Sequence, residues 1–119
     1  MSVRAIEHNG VPILVYDFSR TASREESLAR VAEARGVAAQ HGPGQRTLTD
    51  VREAFLDAEV VSAVGALAEE NAPYVAASAV VGAKGQLEQA RQLVAGMTGR
   101  AFAAFDDAGA ALDWLAAST

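Results

Sequence analysis

"PYVAASAVVG", residues 73–82, is built almost entirely of small and β-branched residues. Such a run suits a strand buried on both faces, the position of a central strand in a sheet covered by helices. The segments on either side agree. Upstream, "DAEVVSAVGALAEEN" (57–71) puts Val60, Val64, Leu67 and Ala68 on one stripe of a helix. Downstream, "KGQLEQARQLVAGMTG" (84–99) does the same with Leu87, Ala90, Leu93, Val94 and Met97, and Gly99 stops it.

One step further out lie two short strands, "RTLTDV" (46–51) with Leu48 and Val51 as its apolar residues, and "AFAAF" (101–105). "TASREESLARVAEARGVAAQH" (21–41) reads as a single amphipathic helix with Leu28, Val31 and Ala32 inside and Arg30, Glu33 and Arg35 outside. Ser23 and Glu26 have capping-box spacing at its start, and "HGPG" (41–44) ends it. "DDAGAALDWLAAS" (106–118) is a closing helix capped by Asp106 or Asp107, with Ala108, Ala111, Leu112 and Leu115 on its stripe.

The start, "SVRAIEHNGVPILVYDF" (2–18), is a β-hairpin, because Asn9 and Gly10 both tolerate the positive φ of a tight turn. The run Val11 to Phe18 makes its second strand mostly buried. Pro12 cannot donate to a ladder, so that end lies at an edge or beyond the pairing. The order β-β-α-β-α-β-α-β-α predicts an α/β fold: a mixed, largely parallel five-stranded sheet, an antiparallel hairpin at its edge and four helices. With no linker, repeat or low-complexity block, residues 1–119 read as one domain.

Composition narrows the function classes. There is no Cys, which removes disulfides, thiolate chemistry and cysteine metal sites. A net charge of −5 argues against general nucleic-acid binding, which needs a basic face. No long apolar run follows a basic segment, so neither a signal peptide nor a membrane span is expected and the location is read as cytoplasmic. Richness in Ala, and a preference for Arg that leaves Lys84 as the single lysine, suit a GC-rich bacterial source.

Candidate chemistry is sparse. His8 and His41 stand beside turn glycines and outside any metal or general-base spacing, and are read as turn or solvent-exposed residues. No cofactor, metal site or catalytic set is indicated. "VVGAKGQ" (80–86) comes nearest to a functional loop: Gly82 and Gly85 permit close backbone approach, Lys84 adds charge, and a helix start follows. The same residues also make an ordinary strand-to-helix turn.

In open α/β sheets ligands sit beyond the carboxyl ends of the parallel strands. Those ends carry Asp17, Ser19 and Arg20, then Asp50 and Arg52, then Gly82 and Lys84, a mixed rim suited to a small polar ligand or a protein loop. Trp114 falls about 100° from Leu115 on the helix period, either packing on the sheet or anchoring a homodimer.

Taken together, "ILVYDFS", "TLTDV" with the acidic corner after it, "SAVVG" and "FDDAGAALDWL" span nearly the whole chain. This layout resembles the STAS fold of anti-sigma-factor antagonists, and more closely the small bacterial STAS-like or CRAL-TRIO-like domains. The resemblance implies a phosphorylatable Ser after an Asp at the start of the second helix. Asp57 matches the acidic position, but Ala58 stands where the Ser would be. The hydroxyl switch is therefore missing, and Asp57 also has a plain reading as a helix N-cap. The expectation is a non-enzymatic protein-interaction module, acting on a protein partner or as a homodimer. The CRAL-TRIO-like side of the resemblance implies instead a module for a small ligand or lipid.

Overall fold

A computed structural model describes residues 3–82 and 102–117. The predicted helix over 84–99, and Lys84 with it, fall outside the described residues.

β1 (Val3–His8) and β2 (Val11–Asp17) form the expected hairpin. Asn9 and Gly10 take φ of 52° and 78°, fixing a register that runs from His8 opposite Val11 to Val3 opposite Tyr16. β3 (Gln45–Asp50), β4 (Val75–Val81) and β5 (Phe102–Phe105) follow in parallel, giving the order β1-β2-β3-β4-β5. Pro12 is paired inside the hairpin, opposite Glu7, but pairing with β3 begins only at Leu14, so the side of β2 that would need its N–H is a free edge there.

Alternation along the strands divides the core into two layers. Leu14, Tyr16 and Val80 face α1 (Arg24–Ala34) and α3 (Ala58–Asn71). Ile13, Val15, Leu48, Ala79 and Val81 face α4 (Ala108–Ala117) on the opposite side. A strand order that always steps the same way, with right-handed crossovers, puts α1 and α3 together on one face. They pack on each other there.

The single helix expected over 21–41 is two. α1 ends where Arg35 N–H turns back to the Ala32 carbonyl, and Gly36 reverses the chain at φ 83° before the short α2 (Val37–His41). The inward stripe also differs: Ser27, Val31 and Ala34 are buried, Leu28 is half-buried and Ala32 is exposed. The inward Ser27 is paired: its hydroxyl donates to the Phe55 carbonyl (2.9 Å) and its oxygen accepts from the Thr21 hydroxyl (2.8 Å). A satisfied polar group therefore holds a position where an apolar one was expected. Ser23 caps α1 by accepting from Glu26 N–H, while Glu26 reaches one residue past the usual capping-box partner, to Ala22 N–H.

The later elements match expectation closely. Asp57 Oδ1 caps α3 by accepting from Val60 N–H (2.9 Å). A 3₁₀ turn, Ala72–Tyr74, leads into β4, whose last five residues are buried. Of the two candidate caps for α4, Asp107 serves, accepting from Ala110 N–H (2.9 Å).

Candidate functional site

At the carboxyl end of the sheet, the parallel ladder runs on past the strands. Phe18 N–H donates to Asp50 O, Val51 N–H to Val81 O, Arg20 N–H to Arg52 O and Gly82 N–H to Phe105 O, all between 2.9 and 3.0 Å. The loops after β2, β3 and β4 are thereby held in line as continuations of the sheet. β1 runs the other way, so its first turn of chain, Arg4, arrives at this same end. Together these segments enclose an open cleft of about 610 Å³, lined by Arg4, Asp17, Ser19, Arg20, Asp50, Arg52, Glu53, Gly82 and Asp106.

Three of its carboxylates, Asp17, Asp50 and Glu53, are each paired with an arginine. Asp17 Oδ1 accepts from both the backbone N–H (3.0 Å) and the hydroxyl (2.5 Å) of Ser19, and Arg4 lies 3.5 Å from Oδ2. Arg30 reaches in from α1, donating to the carbonyls of Ser19 (2.8 Å) and Asp17 (3.3 Å). Partial burial pushes the Asp17 carboxyl up, but the two Ser19 hydrogen bonds with Arg4 and Arg30 outweigh it and hold it below its ordinary value.

Asp50, itself buried, takes a fork from Arg52: Nε to Oδ1 at 3.0 Å and Nη2 to Oδ2 at 2.7 Å, with the Arg52 N–H a third donor. These hydrogen bonds raise the Arg52 pKa further. The forked pair fixes where the guanidinium lies, and the stem of Arg52 crosses directly over Gly82. Gly82 has φ +84°, and a Cβ there would come within 2.5 Å of Arg52 Cγ. The sequence reading had a ligand approach the backbone at Gly82; what lies against it in the structure is the stem of Arg52.

Beside this pair, Arg20 and Glu53 form an exposed ion pair at 3.4 Å. Both are non-glycine residues in the left-handed region, at φ 57° and 58°. Each such residue carries a backbone cost that the surrounding contacts must offset.

The structure thus brings Asp17, Ser19, Asp50 and Gly82 together and leaves Asp57 apart. Asp57 serves α3 as its cap and pairs with Arg24 Nε at 2.6 Å. The hydrogen bonds from Val60 and Arg24 hold its carboxyl below the ordinary value. Ala58 is the first residue of α3 behind it.

Three lining residues escaped the sequence reading. Arg4 could have been found, since counting back from the Asn9-Gly10 turn places it opposite Val15. Asp106 could have been found as well, since it directly follows the predicted strand over 101–105, while Glu53 carries no such signal.

Of the two places offered for Trp114 the structure shows the packed one, and the reading of His8 changes. Trp114 is half-buried and packs against Phe105, ring centroids 5.9 Å apart, in the layer between α4 and the sheet. His8 is paired and not simply exposed: its Nε2 lies 2.7 Å from Asp113 Oδ1, joining the hairpin tip to α4.

The large apolar residue that does stand out, among the described residues, is Phe55, 37% exposed on the loop between β3 and α3. Its N–H donates to Thr21 Oγ1 (2.8 Å) and its carbonyl accepts from Ser27.

Among the described residues no group of three or more His, Asp or Glu stands close enough to hold a metal ion, and no helix is long and apolar enough to cross a membrane. No protein-family model, curated protein or solved structure matches the chain.

Proposed function

We propose that this chain is a non-enzymatic interaction module of STAS type, which engages a protein partner or a second copy of itself through the rim at the carboxyl ends of its parallel strands. The observation that carries the reading is the pairing of the inner rim charges: Arg52 on Asp50, and Arg4 and Arg30 around Asp17. Groups tied in this way make a rigid surface of fixed pattern, the kind of surface that confers specificity and register on a protein contact.

The same pairing removes the usual sources of reactivity. The Ser19 hydroxyl donates to a carboxylate whose proton affinity is depressed, so Asp17 is a weak base for activating it. The missing hydroxyl at Ala58, the position implied by the STAS resemblance, fits a module that works without a phosphorylation switch. The order of elements and the capped start of α3 also agree with that resemblance. The polar walls of the cleft suit a peptide loop or a polar solute better than an acyl chain.

Native mass spectrometry of the untagged protein from its host's cytosol tests the reading. A dimer, or a complex with another polypeptide, is the expected result. A bare protomer carrying the mass of a small molecule would overturn it in favour of a ligand carrier.

A further inference from the structure

The backbone of Phe55 is held on both sides although its side chain is exposed. Both polar groups of its backbone are bonded, to the hydroxyls of Thr21 and Ser27, and both of those residues are buried. Thr21 and Ser27 are also bonded to each other, so the loop after β2, the helix α1 and the loop after β3 meet at this one aromatic residue. The chain reaches that geometry through left-handed backbone at Glu53, two residues before Phe55, and at Arg20, next to Thr21. Two costly conformations and a buried hydroxyl pair together fix the backbone of a large apolar residue that is 37% exposed. A mobile loop tip would need neither.

The flanking charges point to what covers the ring. Arg20 and Glu53 are 82% and 76% exposed, on the two loops that the backbone of Phe55 ties together, and pair with each other at 3.4 Å. So exposed a pair contributes little within one chain and readily exchanges partners. An isologous two-fold contact needs a patch that complements itself: an apolar centre with one cation and one anion that swap places under the rotation. Phe55, Arg20 and Glu53 meet that description. These three residues carry no net charge of their own in a chain of net charge −5, so bringing them together adds no net repulsion between copies.

We infer that Phe55 is the centre of a two-fold contact between copies of this chain, with Arg20 of each copy facing Glu53 of the other. The inference rests on the interaction-module reading and adds to it the surface and the partner.

Sedimentation velocity across a wide concentration range tests it, on the native chain and on Phe55→Ser, Arg20→Glu and Glu53→Arg. The native chain dimerises. Phe55→Ser weakens association about thirtyfold or more, as expected of a central aromatic anchor. The backbone bonds of residue 55 survive that change, so unchanged circular dichroism confirms the fold. Arg20→Glu and Glu53→Arg each associate poorly alone, and an equimolar mixture of the two recovers the dimer. Recovery on mixing supports facing positions directly, because pairing within one chain cannot produce it.

A dimer as tight in Phe55→Ser as in the native chain overturns this surface and leaves the interaction reading standing. Mixing without recovery overturns the facing arrangement. A native chain that stays monomeric throughout overturns self-association, and native mass spectrometry then decides separately whether a different polypeptide is bound.

Discussion

Arg52 lies across Gly82 so closely that a methyl group on Gly82 would overlap its Cγ. Arg52 cannot withdraw without releasing Asp50, whose buried carboxylate it holds with two forked hydrogen bonds. Gly82→Ala therefore combines a left-handed alanine with an overpacked contact, and should cost about 2–4 kcal/mol. The check is the urea midpoint. In an Arg52→Ala background the same change should cost measurably less, since the Cγ contact is gone while the backbone strain remains. Equal cost in both backgrounds would contradict the described packing.

The Asp17 carboxyl is held below its ordinary value of 3.8. Between that value and its lower folded value, the unfolded chain binds more protons than the folded one, so stability rises with pH through this window. Asp17 thus contributes fully above pH 3.8 and progressively less as pH falls below it. Replacing it with Asn should flatten that part of an acid-unfolding profile. It should leave the slope near neutrality unchanged.

The hydroxyl of Tyr16 is buried and, among the described residues, has no hydrogen-bond partner. Tyr16→Phe removes it without leaving a cavity, and should raise stability by about 1–2 kcal/mol. Burial also pushes the phenol up from 10.0 to about 12. Above pH 10 the unfolded chain loses this proton first, so the native protein loses stability as pH rises from 10 towards 12. Denaturant midpoints across that range should fall less steeply for Tyr16→Phe.

Trp114 is the only tryptophan, so its fluorescence reports the packing of α4 on the sheet. Phe105→Ala should shift its emission to the red as water reaches the indole. Trp114→Ala should lower stability by about 2 kcal/mol, less than for a fully buried tryptophan, because the ring is half-buried. Under the inference made for Phe55, neither change alters the oligomeric state.

Much of the architecture could be read from residues alone. Asn9-Gly10 fixes the hairpin and its register, and a strand as apolar as residues 75–81 fits only a covered sheet. The break between α1 and α2 was harder to see. The apolar period runs on through 21–41, and Gly36 marks a boundary only once its φ is known. The inward face of α1 was misread for a related reason: Ser27 is satisfied by Thr21 and Phe55, residues that only the fold brings near.

The candidate site divides in the same way. Strand-end residues such as Asp17 and Asp50 follow from topology. Phe55 sits in a loop whose outward aim depends on long-range hydrogen bonds and on left-handed backbone at Arg20 and Glu53.

The two-layered core also has a consequence for synthesis. The sheet face formed by Ile13, Val15, Leu48, Ala77, Ala79 and Val81 is covered by α4, which comes last in the fold. A nascent chain can assemble β1 to β4 with α1 and α3 while this opposite face is still bare. Until residues 108–117 have left the ribosome, this apolar face lacks the helix that covers it among the described residues, and is a template for aggregation and a natural binding site for a chaperone.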